Sequence, residues 1–271
     1  MATWAVTGDQ YREVDRKMIE IKRRLSEPGG STLDPQMVAR RLQLILDRPS
    51  ASPSGSVDPQ RAAEIMGGAC HGLEALERRL GIRLAANEAA RLGAVPFSEE
   101  TLLGSRDTHV LVACPRASLL ALRSKAPDAF YYKRAWYAEE SFARRLPTAR
   151  WRLIRVEPVP GSTSKPWAAQ QATLAADELV PGVCEMACAL VLHYLETGER
   201  LLPAVYVRTT DTDSSGRRVG LGRFSPDGLR IRSFGDYADY YIGLAAARKS
   251  SWRRDSYPAR TNGRARPRAR A

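Results

Sequence analysis

"PGVCEMACALVLHYLETG", residues 181–198, is the stretch that decides the fold. Its interior is almost entirely apolar, Pro181 stands before it and Gly198 after it, and these are start and stop signals for a helix. Cys184 and Cys188 are four residues apart and therefore share a face of that helix. In an apolar setting they are predicted to pack as small buried hydrophobes. His193 with this pair suggests a metal cluster, but no second Cys/His pair at zinc spacing follows, so no metal site is predicted.

The segments around this helix predict an α+β fold. "HVLVAC" (109–114) is a short apolar run closed by a proline, and "RWRLIRVEPV" (150–159) alternates, so both predict strands. After the helix, strands are predicted in "PAVYVRTT" (203–210), "RRVGLGRF" (217–224) and "GLRIRSF" (228–234), the last two joined by a Pro-Asp turn. Helices are predicted over 116–125, 135–146 and 237–248. The expected fold class is α+β, with an N-terminal helical hairpin followed by a mixed helix/antiparallel-sheet domain.

The N-terminal residues predict a helical hairpin over 1–48. Apolar residues at 11, 14, 18, 21 and 25 form one stripe, and a Pro-Gly-Gly break follows. Asp34-Pro35 restarts a helix, because aspartate caps free amides and proline suits the first helical turn. Residues 49–58 are rich in Ser, Pro and Gly and predict a linker. Asp58-Pro59 starts a helix predicted to run to about residue 80, within an α+β domain over 59–249.

Composition is typical of a globular protein. The 271 residues are 44% hydrophobic and 27% charged, and no apolar run approaches the roughly 20 residues of a membrane span. The four cysteines form no regular framework. We therefore expect a cytoplasmic protein without membrane contact.

The net charge of +12 is concentrated at the C-terminus. Residues 250–271 are rich in arginine and poor in aliphatic residues, which predicts a disordered tail. Such a tail binds polyanions through phosphate charge and counterion release. A solvated terminus without a partner is the alternative. The residues predicted to contact nucleic acid are Arg253, Arg254, Arg264, Arg266, Arg268 and Arg270.

"VEPVPGSTSKPWAAQQ" (156–171) has the outline of a phosphate-binding loop but lacks its second glycine, and Pro166 removes an amide donor. We interpret it as a capped helix start, with Ser162 or Ser164 as the cap. The remaining functional hypothesis is an anion site formed by Ser162, Ser164, Lys165 and Arg208.

Two other stretches have functional and structural interpretations. "DTDSSG" (211–216) imitates half of a calcium loop, yet the twelfth position is Gly222, so a polar turn is favoured. "FYYKRAWYAEESFARR" (130–145) mixes aromatic and basic residues, which suits base stacking, although anchoring on the core is favoured. We find no catalytic motif or dinucleotide fingerprint and expect no cofactor.

The leading hypothesis is a non-enzymatic binding or interaction protein. Residues 11–46 would engage a protein partner or a second copy, and the tail would contact nucleic acid nonspecifically. The alternative is an enzyme acting on a phosphate- or carboxylate-bearing substrate, with Lys165, Arg208, His193 and Glu196 in one pocket.

Several runs resemble a family of uncharacterised bacterial hypothetical proteins. They are "YREVDRKMIEIKRRL" (11–25), "THVLVACP" (108–115), "STSKPW" (162–167), "LVLHYLETGERLLPAVYVRTTD" (190–211), "GRRVGLGRF" (216–224) and "GLAAARK" (243–249). The resemblance covers residues 11–249. It implies that hairpin and body belong together, and it assigns no activity and no site residue.

Overall fold

The computed structural model describes residues 8–26, 33–39, 55–131 and 135–250. Contacts within the chain divide it into two units, Met1–Pro53 and Ser54–Ala271. The linker residues 49–54 and the tail 251–271 lie outside the described residues.

The first unit contains helix α1 (Gly8–Leu25) and helical residues 35–39 (α2). The side chain of Asp34 accepts a hydrogen bond from the Gln36 amide at 2.9 Å, which is how this residue type starts a helix. Val14 and Ile19 of α1 are 62% and 59% exposed. The second apolar stripe of the predicted hairpin, residues 42–46, lies outside the described residues.

The second unit contains short helices and strands in alternation. Its helices are α3 (Pro59–Met66), α4 (Leu73–Leu80), α5 (Ala86–Arg91), α6 (Glu99–Ser105), α7 (Leu119–Lys125), α8 (Ser141–Arg144), α9 (Trp167–Gln171) and α10 (Val183–Thr197). Its strands are β1 (Cys70–His71), β2 (His109–Cys114), β3 (Arg150–Arg155), β4 (Glu178–Leu179), β5 (Tyr206–Thr212), β6 (Arg218–Ser225), β7 (Gly228–Phe234), β8 (Ile242–Leu244) and β9 (Ala247–Arg248).

The strands form two sheets. One has the order β1-β2-β3-β9-β4 and the other β7-β6-β5-β8. Pairing is antiparallel except for β1 with β2 and β5 with β8, which are parallel. The fold class is α+β, as predicted.

Helix α10 lies between the two sheets. It contacts β1, β2 and β3 of one sheet and β5 and β6 of the other, and its residues 183–193 are all buried. A helix with no polar side is stable only in such a position. Its first turn is held by two carboxylates: Glu185 accepts from the Gly182 amide at 3.1 Å, and Asp211 from the Val183 amide at 2.7 Å. The helix ends at Gly198, whose φ of 78° favours glycine.

The predicted helix over 237–248 is wrong, because these residues form β8 and β9. Its alanine-rich end favours a helix locally, but Leu244 and Ala247 are fully buried. A Cβ atom on Gly243 would lie 2.5 Å from the Cβ of Pro158, so the strand passes very close to that proline. Strand β8 pairs with β5 and β9 with β3 and β4, so this segment joins the two sheets.

Two further helix predictions were too long. The segment from Pro59 to residue 80 is divided into α3, the 3₁₀ turn Gly67–Ala69, β1 and α4. Gly67 has a φ of 56°, a conformation that ends a helix at low cost only in glycine. In the other segment, 135–146, only Ser141–Arg144 is helical.

Candidate nucleic-acid interface

The sheet β7-β6-β5-β8 has one face on the core and one face directed away from α10. Val207, Leu221 and Ile231 are aligned across three strands and belong to the main hydrophobic core. Side chains alternate between faces along a strand, so the flanking residues lie on the other face. These outer-face residues are Tyr206 and Arg208 on β5, Arg218, Gly220 and Gly222 on β6, and Arg230, Arg232 and Phe234 on β7.

Glycines in the middle strand make room on this outer face. A Cβ atom on Gly220 would lie 2.9 Å from the Phe234 ring and 2.9 Å from the carbonyl oxygen of Val207. Phe234 in turn contacts Tyr206 edge-to-face, with ring centroids 5.2 Å apart. The absence of side chains on β6 therefore lets aromatic rings of neighbouring strands lie over the sheet.

Arginines at this face are stacked on aromatic rings. The guanidinium of Arg230 lies 3.7 Å from the centroid of Tyr131, and that of Arg218 lies 4.2 Å from Trp167. Arg223, turned by an irregularity in the β6 pairing, lies 4.9 Å from the ring of Tyr241. Such stacking restricts the arginine side chain and leaves the edge of the guanidinium plane for hydrogen bonds, one of which Arg218 donates to the Thr210 carbonyl at 2.8 Å.

Exposed aromatic residues continue this surface. Tyr240 is 77% exposed and contacts Tyr241 edge-to-face, and Tyr237 is 47% exposed. We call the surface the arginine–aromatic face and define it by Tyr131, Trp167, Arg218, Arg223, Arg230, Arg232, Tyr237, Tyr240 and Tyr241.

Three carboxylates lie beside the arginine–aromatic face. The carboxylate of Asp227 lies 3.8 Å from the guanidinium of Arg230, and that of Asp236 accepts a hydrogen bond from the Trp167 amide. The carboxylate of Asp239 interacts with the hydroxyl of Tyr241 and raises its pKa. Four arginines outnumber these acids, so the face carries excess positive charge. The surface thus combines cations with exposed π-faces, which are the two components of single-strand binding sites.

Arg208, predicted as an anion ligand, is fully buried on the same face of β5. Its Nη1 donates to the Lys165 carbonyl and the Gln170 side chain, and its Nη2 donates to the carbonyls of Gly235 and Tyr237, at 2.8–3.3 Å. All four Nη hydrogens are therefore bound to oxygens of the protein. Burial lowers the pKa of this guanidinium, and the charges of Asp236 and Asp239 act in the opposite direction.

The other predicted anion ligands are Ser162, Ser164 and Lys165, and the Lys165 carbonyl is one of the acceptors of Arg208. The Ser162 hydroxyl accepts from the Leu244 amide at 3.0 Å and is buried. Ser164 has a φ of 57°, and its amide donates to the Asp239 carbonyl. Neither serine caps α9, whose N-cap is Pro166. An anion site here stays a prediction.

The residues of the enzyme hypothesis form two separate groups. Glu196 accepts from Arg78 at 2.6 Å and Arg79 at 2.8 Å. His193 contacts His71 through Nδ1 at 2.9 Å and Glu199 through Nε2 at 3.2 Å. No hydrogen bond or ion pair between described residues joins these groups to Lys165 or Arg208.

His71 is the partner that sequence analysis did not find for His193. If Glu199 accepts from Nε2–H, a neutral His193 has its lone pair on Nδ1, so His71 donates through Nε2–H. Burial, with a smaller contribution from His193, lowers the pKa of His71 to about 4. His71 is therefore neutral at pH 7.

The remaining predicted functional stretches have mixed outcomes. The tail arginines lie outside the described residues. In the stretch 130–145, Phe130, Tyr137 and Phe142 are buried in the core, whereas Trp136 is 40% exposed and its indole donates to the Ile231 carbonyl at 2.7 Å. Tyr132 lies outside the described residues. Tyr131 instead belongs to the arginine–aromatic face.

The turn 211–216 is a polar hairpin connection, as favoured. Asp213 accepts from the amides of Ser215 and Arg217 and so closes the turn between β5 and β6. Asp211 binds Arg145 and the α10 amide. In the described part of the chain, no group of three or more His, Cys, Asp or Glu residues could hold a metal ion.

The buried thiols behave as predicted. Cys184 and Cys188 are buried on α10, and burial raises the pKa of Cys184 to about 12. The Cys184 thiol is therefore not a ready nucleophile, because the thiolate is the reactive form.

Comparisons with known proteins place no constraint on function. The chain matches no protein-family model, and no curated protein or solved structure shows significant similarity to it. None of the helices within the described residues has the length and apolar character needed to span a membrane.

The arginine–aromatic face was not predicted from the sequence. The signal available was the alternation in "GLRIRSF", where Arg230 and Arg232 flank the buried Ile231. The aromatic partners come from residues 131, 167 and 237–241, which are distant in sequence.

Proposed function

We propose that this protein is a non-enzymatic binding protein that contacts single-stranded nucleic acid through the arginine–aromatic face. The observation that carries the proposal is the set of arginines stacked on aromatic rings at the outer face of a four-stranded sheet. Phosphates would bind the guanidinium groups of Arg230 and Arg232, and a base would stack on Tyr240. The arginine-rich tail adds nonspecific electrostatic affinity.

The test is fluorescence anisotropy with a labelled oligo(U) and a labelled duplex of equal length, at two salt concentrations. Removal of a stacking ring costs about 1–3 kcal/mol per base, so Tyr240→Ala should weaken oligo(U) binding by about 5- to 150-fold. The double variant Arg230→Gln/Arg232→Gln should lower the salt slope by about 1.4, at about 0.7 per phosphate contact on a single strand.

The matched control removes the same charge elsewhere. Arg83 has a side chain that is 84% exposed, and Arg116 is exposed. The double variant Arg83→Gln/Arg116→Gln should bind within about twofold of the natural chain if location, and not net charge, decides binding.

The contribution of the tail is separated by a chain that ends at Lys249. We expect it to bind more weakly, with the Tyr240→Ala effect unchanged. If binding is lost with the tail, and the Tyr240 and Arg230/Arg232 variants match the natural chain, the proposal for the folded face is refuted.

A further inference from the structure

A cavity of about 570 Å³ lies where α3, α4, α10, β1 and β3 meet, and its lining shares no residue with the arginine–aromatic face. Most of its wall is apolar, with Leu73, Leu92, Cys70 and the indole of Trp151 among its lining residues. The volume falls within the range of small-molecule sites, which are mainly apolar with a few polar groups that set orientation.

A hydrogen bond fixes the position of the Trp151 indole in the wall of this cavity. Its indole N–H donates to the Leu92 carbonyl at 2.9 Å, so both residues are fixed relative to each other. Gly72 lines the cavity beside the ring, and a Cβ atom there would lie 3.6 Å from Trp151. Because residue 72 has no side chain, the space next to the ring stays open.

The charged group in the wall is the pair Arg78–Glu196. Glu196 accepts from Nη2 of Arg78 and from Nε of Arg79. Burial opposes ionisation of Glu196, but the two arginine hydrogen bonds outweigh it, so its pKa lies below the ordinary value. Two cations thus share one carboxylate.

Arg78 lines the cavity and uses only one of its hydrogen-bond donors, an N–H of Nη2, in the contact with Glu196. Among the described residues, its Nε and Nη1 have no protein acceptor, and its side chain is 55% exposed. Glu74, the other charged lining residue, is an exposed acid on the preceding turn of α4. One hydrogen of Nη2 binds Glu196, so the second Nη2 hydrogen and the N–H beside it form an edge that a planar acceptor can reach.

We propose that this cavity binds a small carboxylic acid with a flat apolar ring, the ring against Trp151 and the carboxylate on the open edge of Arg78. Arginine binds carboxylates through two parallel N–H···O bonds, which an amine or an alcohol cannot reproduce. The site is separate from the nucleic-acid proposal and does not depend on it.

The experiment is isothermal titration of the full chain with three probes that share one ring system: 2-naphthoate, 2-naphthylmethanol and 2-naphthylmethylamine. We expect 2-naphthoate to bind at least 10-fold more tightly than the other two. No binding of 2-naphthoate, or a preference for the amine, would overturn the proposal.

Variants locate the binding and identify the polar contact. Gly72 has a φ of −85°, which any residue adopts, so Gly72→Leu should fill the cavity and abolish binding while Gly72→Ser retains it. Arg78→Gln should reduce the preference for 2-naphthoate over the alcohol to less than twofold. Full binding by Gly72→Leu, or an unchanged preference in Arg78→Gln, would refute the site.

A second blocking variant covers the case in which Gly72→Leu does not fold. Ala63 lines the cavity from an exposed position of α3, where a leucine is tolerated by the helix. Ala63→Leu should weaken binding of 2-naphthoate at least 10-fold with circular dichroism unchanged, and unchanged affinity in this variant would contradict the proposal.

Discussion

At the scale of single residues, Arg208 shows how a buried cation is accommodated in this fold. Its four Nη hydrogens bind oxygens from two segments, 165–170 and 235–237. Hydrogen bonds to a charged group are worth more than neutral ones, and removing one partner leaves the others unsatisfied. Arg208 therefore connects both segments to β5, and the protein itself supplies the acceptors for its Nη hydrogens.

The buried His71 makes stability depend on pH. Its pKa is about 4 in the folded chain against an ordinary value of 6.5, with burial as the largest cause. Above pH 6.5 the imidazole is neutral in both states. As pH falls from 6.5 to 4, the unfolded chain takes up the proton and the folded chain does not, so stability decreases.

We expect this residue to lower the free energy of unfolding by about 3 kcal/mol across that interval, at about 1.4 kcal/mol per pKa unit. Urea titrations at pH 6.5, 5 and 4 measure it. His71→Gln should be less stable at pH 6.5 and should lose the decrease in stability that His71 causes between pH 6.5 and 4.

His109→Gln is the control and should keep the contribution of His71. It should lose only the separate contribution of His109, whose pKa burial lowers to about 3. Parallel curves for the natural chain and His71→Gln would contradict the assignment.

At the scale of elements, the glycines of β6 determine how closely β5 and β6 approach. Gly222 has a φ of 147°, and a Cβ atom on it would lie 2.1 Å from the Val205 carbonyl oxygen. No rotation of a side chain relieves a contact between Cβ and backbone, so the strands themselves would have to separate.

We expect Gly222→Ala to destabilise the chain by at least about 2 kcal/mol, because both the conformation and the contact are unfavourable for alanine. Gly104, an exposed glycine of α6 with no atom within 4 Å of its would-be Cβ, is the matched control. Gly104→Ala should be stabilising by about 0.5–1 kcal/mol, because alanine is the better helix former. Thermal unfolding of both variants decides the comparison, and equal effects would show that the β6 contact is relaxed at little cost.

At the scale of the whole molecule, the buried core belongs to the second unit. All buried hydrophobic residues that the structure describes lie between Ala62 and Ala247. A unit with its own core can fold alone.

We therefore expect a chain that starts at Ser54 to fold by itself and to unfold in urea in a single cooperative transition. A chain that starts at Leu73 is the control, because it lacks α3 and β1 and should lose most of its stability. Absence of a cooperative transition in the chain that starts at Ser54 would contradict the expectation that this unit folds alone.

Hydrophobic periodicity and the positions of proline and glycine were sufficient to predict several elements from the sequence. The apolar run at α10, the strand "HVLVAC" and the turn between β6 and β7 were predicted because each is decided by neighbouring residues. The C-terminal segment 237–248 was not, because its alanines favour a helix locally while their burial between β5, β3 and β4 favours strands. There, tertiary contacts outweighed a propensity of less than 1 kcal/mol per residue.

By itself, the sequence determined the α+β class, the central buried helix and the burial of its cysteines. Only the tertiary structure decided which polar residues contact each other. It brings His71 to His193, Arg78 to Glu196, and Arg208 to the carbonyls of residues 165, 235 and 237. It also places the arginines of β6 and β7 on the rings of residues 131, 167 and 241. The physical reason is range. Helix and turn preferences act between residues a few positions apart. Stacking, ion pairing and cavity formation instead join residues that are far apart in sequence and become neighbours only when both sheets pack on α10.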